Sequence, residues 1–247
     1  MSGHSRWAKL KHSKGATDAK KAAMFMKFTR IITVAAKEGG ASTETNFKLR
    51  TAVDQATSIG MPKDNIERAI KRGAGGEGEK EKLENAIYEI LGPGNVAIIV
   101  EALTDNRNRT AGNLRRILNK HGGSLSGQNA LLWMFEHKGV AHILNAEKIS
   151  DMEGLELELI DAGAEDFEER MIDDSNKELL IYMKPENMQK VKGALEAKKI
   201  IVDSLVLEWV AKNPAQISPE AQKQLDKIFD EMDEDPDITN YYDNLGD

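Results

Sequence analysis

The chain has 247 residues, 40% hydrophobic and 30% charged, with no cysteine and a formal net charge of -7. That is the composition of an ordinary globular protein with room for two or three small domains. It excludes a disulfide framework, a thiolate metal site and a cysteine nucleophile, and no apolar run approaches the ~20 residues of a membrane span. The charge is unevenly placed. Residues 1–37 carry nine Lys or Arg against one acid, Asp18, and residues 1–72 carry fifteen bases against six acids, whereas residues 73–247 carry 19 bases against 35 acids. A basic head on an acidic body is a statement about partners, and the partner it fits is a polyanion.

Along the chain, residues 1–15 interleave Gly and Ser with bases and read as a flexible arm. From Thr17, Phe25, Phe28, Ile32 and Ala35 recur at helical steps until Gly39-Gly40. A second helix fits Asn46–Ile59, with Leu49, Ala52, Val53 and Ala56 inward. Pro62 and Gly73, the latter placed beyond the last turn, bracket a third. Three such helices with short turns make a small bundle. Glycines 73, 75, 76 and 78 and the charged run to Glu84 then read as a linker; a phosphate-cradling loop would need a preceding strand.

Beyond the linker the pattern is mixed. Strands are expected at 86–91 and 96–103, a helix at 109–121, and strands at 131–135 and 140–144. A helix at 152–162, strands at 167–172 and 179–183, a helix at 185–198 and a long strand at 200–210 follow. Residues 140–204 thus spell strand-helix-strand-strand-helix-strand, the ferredoxin-like order, lying between Trp133 and Leu207, whose strands are assigned to another sheet. The expected architecture is α+β and multidomain. It has a basic arm and three-helix bundle at 1–76, an α+β domain at 77–138 plus 205–247, and an inserted ferredoxin-like βαββαβ domain at 139–204. The tail from Pro219 is helical, then runs into acids from Asp230 to Asp237 that read as a solvated, mobile end.

Material for catalysis is poor. Of five histidines none pairs at ligand spacing; His121 precedes a Gly-Gly helix stop and reads as a capping residue, and His137 and His142 read as strand surface positions. The acids Glu165, Asp166, Glu168, Glu169, Asp173 and Asp174 read as a solvated face. No catalytic residue, metal ligand or cofactor is assigned. The nucleic-acid candidates are His4, Arg6, Trp7, Lys9, Lys11, His12 and Lys14 in the arm, with Lys20, Lys21, Lys27, Arg30, Lys37, Arg68 and Arg72 on the helices. Cations attract phosphates without regard to sequence, and aromatic faces stack on exposed bases. For Asp105-Asn106-Arg107-Asn108-Arg109-Thr110 two readings stand: a capped helix start, or an anion or RNA contact through Arg107 and Arg109.

Four stretches carry a resemblance. Gly3-His4-Ser5-Arg6-Trp7, Lys11-His12-Ser13-Lys14, the run Met61 to Gly73 and the run Glu101 to Thr110 are similar to the YebC/PmpR family, which includes the mitochondrial translational activator of cytochrome oxidase subunit one. Trp133-Met134-Phe135 and Asn240-Tyr241 also match, whereas Glu89-Ile90-Leu91, Gly94-Asn95 and Tyr242-Asp243 depart from the pattern. The resemblance implies the same three domains and a non-enzymatic, cytoplasmic regulator of gene expression. Its traditional form is a DNA-binding transcriptional regulator. The alternative is a translation factor that binds ribosomal RNA or the ribosome and acts on stalled or proline-rich synthesis. Neither form engages a membrane.

Overall fold

The computed structural model describes residues 4–5, 18–75, 83–172 and 176–246. Its helices are α1 (Asp18–Gly39), α2 (Phe47–Ser58), α3 (Lys63–Ala74), α4 (Arg107–His121), α5 (Met152–Ala162), α6 (Met188–Ala197) and α7 (Pro219–Glu234). Its strands are β1 (His4–Ser5), β2 (Glu84–Leu91), β3 (Ala97–Thr104), β4 (Ser124–Leu125), β5 (Phe135–Leu144), β6 (Ala164–Met171), β7 (Lys177–Met183), β8 (Ser204–Ala211) and β9 (Ile238–Asp243). Residues 136–210 form one compact unit, and the chain on either side of them, 2–135 with 211–247, forms the other.

In the larger unit α1, α2 and α3 close around Phe28, Ile32, Leu49, Ala52, Ala56, Ile66 and Ala69. Asn46 fixes the first turn. Its side chain accepts from Leu49 N–H at 3.1 Å as the cap of α2, and donates to the carbonyls of Ala35 (2.7 Å) and Gly40 (2.9 Å) at the end of α1. Gly73 differs from expectation. It lies inside the last turn of α3, where a Cβ would come within 2.2 Å of the Thr33 carbonyl oxygen, so its role is close helix packing rather than termination. Residues 76–82 of the expected linker lie outside the described residues.

The same unit holds an antiparallel sheet in the order β1-β9-β3-β2-β4. One face is covered by α4 and α7, whose Leu114, Ile117, Leu118, Leu225, Ile228, Phe229 and Met232 meet Ile90, Ile98, Val100 and Tyr241. The acidic tail is therefore not a solvated, mobile end. Four apolar residues of α7 are buried, and the chain beyond it returns as β9, between β1 and β3. Nor does the arm run wholly free, since His4 and Ser5 pair with Asp243 and Tyr242.

Residues 131–135 do not make the separate strand expected. Leu132–Met134 is a single helical turn, and Phe135 begins a strand continuous to Leu144. The reason is a competitor for the backbone: the Glu89 carboxylate, itself buried, takes the N–H groups of Asn129, Leu131 and Leu132 at 2.5, 2.5 and 3.0 Å.

The smaller unit runs strand-helix-strand-strand-helix-strand and forms an antiparallel-paired sheet in the order β6-β7-β5-β8. Ala141, Ile143, Leu179 and Ile181 pack beneath Leu155 and Leu159 of α5 and Val191 and Leu195 of α6. Leu207, expected in the other sheet, belongs to this one through β8. His142 is not a surface position. It is 4% exposed, with Nδ1 hydrogen-bonded to Glu178 at 2.9 Å and Nε2 3.4 Å from Glu208, too poorly aligned for a second bond. Burial alone would lower this imidazole; the two glutamates outweigh it and raise its pKa to about 9.

Candidate nucleic-acid interface

The basic side chains of the bundle divide by what they face. Lys21 and Lys37 on α1 and Arg72 on α3 are exposed and, among the described residues, have no ion-pair partner. Arg68 is exposed too, holding the Asp64 carbonyl and the Asn65 side-chain oxygen on its own helix. Lys71 and Arg72 lie in the last turn of α3, where cations also complement the helix dipole. Lys63 and Lys71, absent from the expected set, share the exposed face of this helix.

Two of the expected contacts turn inward. Arg30 donates from Nη1 to the Pro236 carbonyl and to Asp237 Oδ1, both at 2.9 Å, and its side chain is 22% exposed. Lys27 is half-buried; burial holds its ammonium below the ordinary value, with Asp233 and Asp235 pulling the other way. Both belong to the fold as much as to any surface.

Asp237 is the node of this arrangement. At 2% exposure it accepts from Thr104 Oγ1 (3.1 Å), Thr110 Oγ1 (2.9 Å) and Arg109 Nη2 (2.7 Å) as well as from Arg30. Burial would raise this carboxyl; hydrogen bonds from Arg109, Arg30 and Thr110 outweigh it and hold it below the usual carboxylate range. It ties α1, the end of β3 and the start of α4 to the chain entering β9. Sequence reasoning missed it because the acid was assigned to a solvated tail. The strand formers Ile238, Thr239, Tyr241 and Tyr242 immediately after it are the signal that could have revealed it.

The segment before α4 resolves into a capped helix start. Asn106 Oδ1 accepts from Arg109 N–H at 3.0 Å, Arg109 also bridges to Asp105 at 2.6 Å, and Arg107 pairs with Glu84 at 2.8 Å. Both guanidinium groups retain exposed surface, yet an anion arriving there would compete with carboxylates already in place. At the other end of α4, His121 and Lys120 meet Glu231 at 2.7 and 2.6 Å; these two partners lower the Glu231 carboxyl to about 2.

Arg6, Trp7, Lys9, Lys11, His12 and Lys14 lie outside the described residues, and of His4 and Lys20 only the backbone is described. Among the described residues there is no group of His, Asp and Glu that could hold a metal ion, and no helix long and apolar enough to cross a membrane.

Comparison with known proteins places the chain. One family model, the TACO1/YebC protein N-terminal domain, matches residues 5–76, and another, the TACO1/YebC second and third domain, matches residues 83–245. A probable transcriptional regulatory protein of Thermoanaerobacter pseudethanolicus is 43% identical over 245 residues, covering 99% of this chain and 97% of that one. A protein of the same description from Thermotoga maritima is also 43% identical, over 99% and 94%. The crystal structure of a conserved hypothetical protein from Aquifex aeolicus superimposes with a TM-score of 0.81 at 37% identity, covering 98% of this chain and 96% of that one. Matched by both models across nearly its whole length, the chain belongs to the TACO1/YebC family.

Proposed function

We propose that this protein is a non-enzymatic regulator of gene expression that binds nucleic acid through its basic head, as a YebC-type DNA-binding transcriptional regulator. The observation that carries the reading is the separation of charge, fifteen bases against six acids in residues 1–72 and the reverse balance in the remainder. A polyanion is attracted at one end and repelled elsewhere. The transcriptional form follows the name carried by its relatives. The contact set comprises the arm with Lys20, Lys21, Lys37, Arg68 and Arg72, and the working location is the cytoplasm. The three-domain division at 1–76, 77–138 plus 205–247, and 139–204, the last ferredoxin-like, belongs to the same proposal.

A ribosome- or RNA-binding translation factor is the second reading, favoured by one observation: Trp133 is 66% exposed in the unit that carries the head, and an exposed aromatic suits unstacked bases better than a duplex. The test of the shared claim is affinity for labelled nucleic acid across a salt series. If four or five of these cations meet phosphates, log K falls against log salt with a slope of about -4. A flat response refutes the proposal. Crosslinking in cells then separates the two forms, promoter DNA supporting the first and ribosomal RNA the second.

A further inference from the structure

Between His121 and Glu136 no residue carries a formal charge, in a chain where 30% of residues do. This stretch includes the loop 126–134, which is exposed at Gly127, Gln128, Asn129 and Ala130 and again at Trp133. The loop is held by an internal anion rather than by a ladder. Glu89 takes three of its N–H groups, the Glu89 carbonyl accepts from Ser126 N–H at 2.7 Å, and Asn129 is accommodated at φ 61°. The indole is fixed as well. Trp133 Nε1–H donates to the Ala130 carbonyl at 2.9 Å, so its polar edge is used internally while its side chain remains 66% exposed.

A tryptophan in this state offers its face and not its hydrogen bond. Held in place by this bond, the indole is a fixed aromatic face at the surface, of the kind on which an unpaired base can stack. Beside it, Gln128 and Asn129 present amides, the side chains whose paired donor and acceptor match a base edge. The carboxylate supporting the loop is buried beneath it with its oxygens turned to inward-pointing N–H groups, and no residue of the loop itself is charged. The loop therefore shows no negative charge of its own to an approaching phosphate chain, unlike most of the body.

We propose that the 126–134 loop is a second nucleic-acid contact, in which Trp133 stacks on one unpaired nucleobase and Gln128 or Asn129 engages its edge. It rests on the nucleic-acid reading above, and it adds a preference for single-stranded or bulged nucleic acid that the cations of the head do not supply. Stacking is insensitive to salt, whereas phosphate contacts are not, and this separates the two claims.

The experiment is fluorescence anisotropy of the full chain with a labelled 15-nucleotide single-stranded RNA and with its duplex, across a salt series. W133A is expected to weaken single-strand binding about five- to hundredfold, the effect of losing one base–aromatic stack, with an unchanged salt slope. W133F keeps affinity within about threefold, because a phenyl face still stacks. Duplex binding is unaffected by either change. If W133A binds the single strand as the wild type does while wild-type binding remains salt-dependent, the loop is not a base contact and this proposal alone falls. An equal loss on single strand and duplex also overturns it. A wild type that binds neither probe refutes the head as well. Far-UV circular dichroism of W133F and W133A checks that the loop change leaves the fold in place.

Discussion

Replacing Asp237 by Asn is the most direct test of how the basic head is joined to the body. The substitution keeps the volume, removes the charge and replaces one acceptor by a donor, facing two guanidinium groups and two hydroxyls. Leaving a buried ionic partner uncompensated costs about 3–5 kcal/mol when both sides are fully buried. Here the arginine side chains are 22% and 47% exposed, so water can take over part of their solvation, and Thr110 retains Thr104 Oγ1 and the Asn106 carbonyl. The discounted expectation is about 2–3 kcal/mol.

Urea unfolding followed by circular dichroism measures the change, guanidinium chloride being avoided because its salt screens ion pairs. The effect is pH-dependent in a defined sense. The folded carboxyl lies below its ordinary value, so its contribution is fully present above the unfolded carboxylate pKa of about 4 and is lost as pH falls through the folded pKa. The gap between wild type and D237N is therefore constant from about pH 5.5 upward and closes below about pH 4. A gap under about 0.5 kcal/mol at neutral pH, or one that persists unchanged in acid, refutes the assignment of Asp237 as the ionic node.

Arg30→Ala is expected to lower stability by about 1–2 kcal/mol while leaving the salt slope of nucleic-acid binding unchanged, and Arg72→Gln to do the reverse, lowering the slope by about one with stability within about 1 kcal/mol, the loss of one charge at a helix C-terminus. Urea melts and the same anisotropy series score both, and a slope change in the Arg30 variant would return that residue to the interface. Gly73→Ala forces a Cβ to 2.2 Å from the Thr33 carbonyl oxygen and is expected to cost about 1–3 kcal/mol, seen in the thermal unfolding midpoint; a neutral result would mean that α1 and α3 separate freely. His142→Gln probes the smaller unit. With the folded imidazole raised to about 9, its stabilisation is complete below the unfolded value near 6.5 and disappears as pH rises through the folded one, so wild type and variant converge in alkali. A stability difference that does not change between about pH 6 and 10 would contradict the ionic account of this site.

Much of the architecture was written in local pattern. The steps from Phe25 to Ala35, the Gly40 and Gly122 stops at φ 86° and 80°, and the helix Met152–Ala162 are features a chain segment specifies by itself. What was illegible depended on a partner distant in sequence. The strand expected at 131–135 failed because Glu89, about forty positions earlier, captured the N–H groups a ladder would have used. His142 read as a surface residue because neither Glu178 nor Glu208 is near it in the chain. The Asp237 node required Arg30 from one end of the sequence and Thr110 from the middle.

The same long-range pairing reorganises the electrostatics of the head. Arg30 and Lys37 lie two turns apart on α1, within about 20° of one another around its axis, and with Lys27 they form a row of cations along the helix. Its first part, Lys27 and Arg30, meets Asp233, Asp235 and Asp237, whereas Lys37 is exposed. The row, expected to face a polyanion, and the acidic stretch, expected to be solvated, are thus partly each other's counterions. Neutralisation of this kind removes those cations from the count available to phosphates without weakening the attraction of the remainder, because a compensated pair contributes little field at a distance. The proposed footprint is thereby narrowed to the arm, Lys20 and the exposed positions 21, 37, 68 and 72. On the proposed reading a polyanion is held by the arm and these helix cations, and stacking on the uncharged Trp133 loop would add affinity without adding to the salt dependence.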